Sequence, residues 1–368
     1  MKFTTEKSTL HQAIQTAAKA TSTRSPIPSL EGLLLEALPD KLKITGYDLK
    51  KAIYTSIDAD IQRPGSIILN ARIFGNIISS MPEGDILIEA DGENVRIQGH
   101  TAEFHIMGTN AADYPELPDI DSQAGVSLPQ NLLNRMIRQT IFAVSDNESR
   151  PVYTGELFEI SGGNLTMVAV DGYRLALRRE PVEGIETEHS FIVPGSALSD
   201  LEKLCGDTED SVVINLGTKH ISFAIGDTVL LSRRLEGEFL NYKKSVPSEF
   251  RVKVMADRAG LQRTIERVSL IIDDRVKNPI RCSFGDNALK IICTTTVGKA
   301  EDTIALDGDG QGVEIGFNNR YLLDALKAAP AEEVKICLNS GNAPCVIHPP
   351  EETDEFLYMI LPVRLKAE

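Results

Sequence analysis

The chain has 368 residues, 42% of them hydrophobic and 25% charged, and a formal net charge of −15. That length exceeds one comfortable core and calls for roughly two to four domains, while the ordinary composition excludes a disordered or collagen-like chain. The acidity, taken at face value, argues against nucleic acid, whose partners usually carry basic patches.

The first twenty residues, "MKFTTEKSTLHQAIQTAAKA", read as a strand followed by an amphipathic helix over 8–20. They hold no apolar core of a signal peptide. A hairpin-like stretch follows, "EALPDKLKIT" (36–45), then a shorter helical pattern at 71–81 and a second hairpin, "ILIEADGENVRIQ" (86–98). In that hairpin Asp91-Gly92 is expected as a two-residue turn. The same order then recurs twice. Helical patterns at 129–142 and 257–272 precede "EISGGNLTMV" (159–168) and "SFGDNALKII" (283–292). Helical patterns at 196–205 and 319–329 precede "VVINLGTKHISF" (212–223) and "VKICLNSGNAPCVI" (334–347). The matching leucines are Leu42, Leu165 and Leu289, spaced 123 and 124 residues apart. A period of that size is a whole domain and not a solenoid unit.

Two stretches read as linkers. "DYPELPDIDSQAG" (113–125) is acidic and Pro-rich, and "GEFLNYKKSVPSE" (237–249) holds Gly, Asn and Pro. Domain boundaries are therefore expected at 1–122, 123–247 and 248–368. The alternating strands predict an α+β fold of three similar domains, each with two helices packed on antiparallel sheets, six helices in all. The last segment, "FLYMILPVRLKAE" (356–368), is apolar where chain ends are usually frayed and polar. It reads as a final strand buried on both faces, or as one wall of a site.

A catalytic centre is not expected. The six histidines are scattered, and no H-E-x-x-H, Walker A or G-x-S-x-G pattern is present. "DGDGQG" (307–312) starts like a calcium loop but carries Asn318 at the twelfth position, so a Gly-rich linker is expected there. Asp273-Asp274 reads as a solvated turn at a helix end. Five cysteines, an odd number without a C-x-x-C pair, suit reduced thiols in a cytosol, with neither metal nor cofactor. The longest apolar runs fall far short of the ~18 residues of a membrane span.

Charge location softens the first objection to nucleic acid. The six predicted helical stretches hold ten basic and five acidic residues, +5, which leaves −20 elsewhere. Charges farther apart than about 8 Å are largely screened at physiological salt, so basic helices on an acidic body present a local positive surface. Arg24, in the loop "TSTRSPIP", and Arg72, at a helix start, are candidate phosphate contacts.

Four stretches then carry a resemblance over the full length: "LKITGYDL" (42–49), "MVAVDGYRLA" (167–176), "IGFNNRYLLDAL" (315–326) and "MILPVRL" (359–365). On a threefold repeat, they resemble the bacterial DNA polymerase III beta subunits, the sliding clamps. The resemblance implies three DNA-clamp domains per chain and a head-to-tail homodimeric ring. Such a ring holds double-stranded DNA topologically, without reading sequence. It is a non-catalytic, cytoplasmic and nucleoid-associated factor with no membrane partner. It implies a hydrophobic pocket for short linear motifs of the polymerase III alpha subunit, the clamp loader, other polymerases and repair proteins. Carried over residue by residue, that pocket uses Tyr153, Val170, Gly172, Tyr173, Arg174, Leu175, Leu240 and Lys244. From the third repeat and tail it adds Asn318, Tyr321, Met359, Leu361, Pro362, Val363, Arg364 and Leu365. Val363, Arg364 and Leu365 are expected to turn toward Tyr173, Arg174 and Leu175. Arg174 and Arg364 are expected as hydrogen-bond donors at the rim.

Departures from the family pattern are visible. Leu240 and Asn241 replace a common Pro-Asp, and Lys244 stands where Arg is common. Pro151 and Val152 stand where well-known relatives carry DNA-touching tyrosines, so Asn147 and Arg150 join Arg24 and Arg72 as expected DNA contacts. Two other functions compete with the clamp. A protein-binding scaffold without DNA encirclement is one. An enzyme using Asp171 and Arg174 is the other, and it lacks a nucleophile or base.

Overall fold

The computed structural model describes residues 1–120, 124–182, 188–273, 278–351 and 353–365. Asp274 and the boundary at 122/123 lie outside the described residues. Six helices of ten or more residues fall on the six predicted patterns: α1 (Lys7–Ala18), α2 (Ala71–Ser80), α3 (Gln130–Thr140), α4 (Gly195–Leu204), and, after a short α5 (Tyr242–Ser245), α6 (Arg258–Ser269) and α7 (Asn319–Ala328). Helix α5 falls in the stretch expected as a linker. It is one turn capped by Asn241, whose side chain accepts from the Lys244 N–H at 3.3 Å. On the observed helix ends, Lys7 enters the charge count while Lys19 and Asp257 drop out as caps. The six longer helices then hold ten basic and four acidic residues, so 10 − 4 = +6.

All strand pairs described are antiparallel. The three period-matched leucines are buried at the same point of the repeat, Leu42 against Ile57, Leu165 against Glu180 and Leu289 against Ile304. Three local expectations fail. The 86–98 hairpin pairs Asp91 with Asn94, so its two-residue turn is Gly92-Glu93, with Gly92 at φ +59°. The hairpin expected at 283–292 is instead a bulge inside one strand, Ile280–Thr294. "DGDGQG" is no linker but part of the partner strand, Lys299–Phe317, bent where Gly308, Gln311 and Gly312 take positive φ.

The chain divides into two compact units, and the division cuts the central repeat. Met1–Asn134 with Ser199–Arg234 form one unit; Arg135–Leu198 with Leu235–Glu368 form the other. In the first, a five-stranded sheet is built from the first repeat. An eight-stranded sheet there joins the first repeat to the second by pairing Lys51–Asp58 with Thr228–Arg233. In the second, a ten-stranded sheet joins the second repeat to the third by pairing Arg174–Pro181 with Phe356–Ile360. Sheets run through the repeat boundaries because the last strands of the second and third repeats, Thr228–Arg233 and Phe356–Ile360, each pair with the free edge of a strand inside the preceding repeat.

Candidate functional site

The tail strand Phe356–Ile360 is buried on both faces, as the first of its two readings holds. Phe356, Tyr358 and Ile360 belong to a large core with α6 and α7, which includes Leu261, Ile265, Leu322 and Leu326. Met359 faces the other way, into a cluster with Leu157, Val170, Leu175, Leu177 and Val346. Leu357 packs at the margin of that second cluster. Side chains alternate across a strand, so residues of one sequence motif are sent to opposite faces.

That alternation sorts the predicted site. Val170, Leu175 and Met359 form part of one apolar face, with Tyr153 and Leu240 half-buried at its margin. Tyr153 meets Phe239 edge to face at 5.7 Å. The linker seals part of this face with Tyr242, whose hydroxyl donates to Glu159 Oε2 at 2.5 Å. Arg174 lies opposite Ile360, on the helix-covered side. Its guanidinium carbon sits 4.5 Å over the Tyr321 ring and 5.4 Å over Phe142. Its Nε donates to Asp171 Oδ2 at 2.9 Å, and Nη1 to Asp324 Oδ2 at 2.5 Å. Arg174 is therefore held internally, and the expected rim donor is already engaged on two carboxylates.

The turn between strands has a local cause. Asp171 Oδ1 accepts from the N–H groups of Tyr173 (2.8 Å) and Arg174 (3.0 Å), an Asx turn. Gly172 supplies the left-handed step at φ +91°. Tyr173 is thereby pushed outward, 62% exposed, with its ring stacked 6.3 Å from Tyr321.

The tail departs from expectation after Ile360. The Leu361 N–H bonds to Tyr173 O at 2.8 Å, and pairing with that strand stops before Pro362. Val363 then bridges Gly316 of its own repeat, its N–H reaching Gly316 O at 2.8 Å. Leu365 packs there too; a Cβ on Gly316 would fall 2.7 Å from its Cδ2 and 2.5 Å from Val363 O. So Leu361, and not Val363–Leu365, meets the Tyr173 turn. Arg364 is exposed and makes no ion pair among the described residues. Asn318 is the cap of α7, accepting from the Arg320 N–H at 3.0 Å. Lys244 is exposed on α5.

The expected DNA contacts are all exposed. Arg24 is in the loop after α1 and Arg72 in the first turn of α2, neither ion-paired among the described residues. Asn147 braces its own loop, accepting from the Ser149 N–H at 3.0 Å, and Arg150 precedes the 3-10 turn Pro151–Thr154.

One group escaped the sequence reading. Glu156 is completely buried, and burial raises its carboxyl to about 8. Thr140, at the end of α3, donates to its Oε2 at 2.7 Å, while Oε1 has no partner. The available signal was Glu156 directly before the apolar pair Leu157-Phe158. All five cysteines are buried free thiols, and burial pushes Cys205 and Cys282 up to about 12.

Three copies of one α+β repeat, spliced through shared sheets and offering an apolar face with a half-buried rim, define a repeat-built binding protein. Family profiles of the DNA polymerase III beta subunit match throughout: the N-terminal domain over 1–118, the central domain over 127–241 and the C-terminal domain over 243–364. The beta sliding clamp of Bacillus subtilis is 30% identical over 377 residues, covering 99% of this chain and 100% of that protein. That of Synechocystis is 32% identical over 391 residues, with 99% and 100% covered. The crystal structure of the B. subtilis DNA polymerase sliding clamp superposes with a TM-score of 0.96 over 100% of both chains. That of the Pseudomonas aeruginosa DNA polymerase III subunit beta gives 0.93 at 28% identity, over 99% and 100%. The chain belongs to the DNA polymerase III beta subunit family.

Proposed function

We propose that the chain works as a sliding clamp, closing head to tail with a second copy into a ring around duplex DNA. It performs no chemistry; it tethers the replicative polymerase and other partners and so confers processivity. The full-length family match across all three repeats is the observation that carries this reading. Retention in a ring is topological, so weak phosphate attraction from Arg24, Arg72, Asn147 and Arg150 suffices. A net charge of −15 for the whole chain is compatible with that, because the helices themselves are net basic. The work is cytoplasmic, at the nucleoid; no described helix is long and apolar enough to cross a membrane. The domains divide at 1–122, 123–247 and 248–368.

Surfaces for the second copy are supported by exposed apolar groups. Phe104 and Met107 stand on Ala102–Met107, the edge strand of the five-stranded sheet, and Leu270 follows α6. Such groups at an unpaired edge favour strand addition. The partner groove is the face of Val170, Leu175 and Met359, rimmed by Tyr153, Leu240 and Leu361. It takes apolar anchors of a short extended peptide. Gly172, Tyr173, Tyr321, Asn318, Lys244 and Pro362–Leu365 frame its ends.

The test is topological. A clamp loader places the protein on nicked circular DNA, and the circle is then linearised. A sliding ring runs off the ends. Protein that remains bound after linearisation overturns the ring and leaves a scaffold. For the groove, truncation after Ile360 is expected to abolish binding of a short motif peptide while the dimer persists in sedimentation. Unchanged affinity removes the tail from the groove.

A further inference from the structure

We propose that Asp324 is a positioning residue for the peptide groove, acting through Arg174 on the pair formed by exposed Tyr173 and half-buried Tyr321. This inference rests on the groove reading above and adds a residue to it. Asp324 is linked to the Tyr173 turn by hydrogen bonds: its Oδ2 takes Arg174 Nη1 at 2.5 Å, Arg174 Nε holds Asp171 Oδ2 at 2.9 Å, and Asp171 Oδ1 fixes the turn that carries Tyr173. The guanidinium plane also lies 4.5 Å over Tyr321, the ring on which Tyr173 stacks. One planar cation thus ties two carboxylates and an aromatic pair into a single unit.

The joint between the first two repeats acts as an internal control. There Asp48 makes the same Asx turn, its Oδ1 accepting from the N–H groups of Lys50 and Lys51. Lys51 occupies the place of Arg174, opposite Ser232 as Arg174 is opposite Ile360. Lys51 pairs with Asp200, the sixth residue of α4, as Arg174 pairs with Asp324, the sixth residue of α7. An ion pair alone therefore suffices to brace such a joint, and a lysine supplies it. At the other joint an arginine is used, and its flat, forked guanidinium can hold two carboxylates while covering a ring, which an ammonium cannot. The extra contacts converge on Tyr173, the most exposed aromatic side chain of the described residues. Their role is to set a surface.

The experiment uses the full-length dimer. The chain has no tryptophan, so Tyr173→Trp is a single reporter of the stack. In that background, without peptide, Asp324→Ala is expected to red-shift the emission and lower its anisotropy, because the ring leaves Tyr321. In the otherwise natural chain, Asp324→Ala and Arg174→Lys are each expected to weaken binding of a fluorescent motif peptide about tenfold. Together they are expected to weaken it no further, since both cut the same route. Thermal unfolding run alongside shows whether the fold is kept. An unchanged reporter spectrum in Asp324→Ala, or additive losses in the double variant, overturns the inference. Leu240→Asp separates the two readings. If Leu240→Asp leaves peptide binding intact, the groove itself is misplaced; if it abolishes binding while Asp324→Ala does nothing, only the positioning role falls.

Discussion

The two joints between repeats share a frame and differ in what they leave open. Lys51–Thr55 pairs with Thr228–Ser232 at the first, and Arg174–Arg178 with Phe356–Ile360 at the second. Each is closed from the linker by a buried tyrosine, Tyr114 donating to Thr45 O and Tyr242 to Glu159. The first joint has a small apolar cluster, Leu30, Tyr47, Ala52, Ile68, Tyr114 and Leu231, with only three half-buried side chains against it. The second has Leu175 where the first has Ala52, and eight half-buried apolar side chains at its margin. The two joints thus differ in side-chain size at a few positions, with the backbone pairing kept. Half-buried apolar groups are those a partner can still cover.

Three tests break or sharpen that comparison, and the largest effect belongs to Glu156. Its counterpart in the first repeat is Leu33, equally buried and likewise one residue after a strand-opening glycine. The folded Glu156 carboxyl titrates near 8 against an ordinary 4.5. Below 4.5 both states are protonated and no penalty exists. Between 4.5 and 8 the unfolded chain releases the proton and the folded chain keeps it, so stability falls as pH rises; above 8 the loss is complete. At about 1.4 kcal/mol per pKa unit the span is on the order of 5 kcal/mol. Urea unfolding from pH 4.5 to 9 should show that fall in the natural chain and a much flatter profile in Glu156→Gln. Equal profiles would mean the carboxylate finds a counter-charge.

The next effect concerns the ion pairs. Lys51 and Asp200 are largely buried, with side chains 14% and 12% exposed, whereas Asp324 is 38% exposed. Asp200→Ala leaves a buried ammonium unpaired and should cost about 3 kcal/mol. Asp324→Ala should cost under about 1 kcal/mol, because solvent screens it and Asp171 remains. Chemical denaturation of the two variants compares them directly; equal losses would erase the distinction between a structural brace and a surface-setting one. The smallest effect is in the turns. Leu49 stands at φ +71° where the second joint has Gly172 at +91°. A leucine in that region costs roughly 1 kcal/mol, so Leu49→Gly should raise stability by up to about 1 kcal/mol in the same assay, and Gly172→Leu should lower it.

Much of this was legible in the residues. The repeat showed in Leu42, Leu165 and Leu289, and all six longer helices fell within three residues of their expected ends, because apolar periodicity and cap residues such as Asn70 and Asn318 are local signals. The third hairpin misled because Gly-Asp-Asn reads equally as a turn or a bulge, and only the pairing of Phe284 with Val313 decides. Arg174 misled for a related reason. Sequence neighbours Arg174 and Leu175 look like one site, yet strand alternation sends one to the helices and the other into the apolar cluster on the opposite face.

The sequence by itself determined three α+β repeats, their helices, their order and the apolar tail, since each follows from short-range pattern. Only the tertiary structure decided that the sheets run through the repeat boundaries, that Asp324 is tied to Arg174 across 150 residues, and that Glu156 is buried without a charged partner. Those facts depend on which edges and faces meet. Edge pairing and burial are set by distant segments that a local pattern does not name.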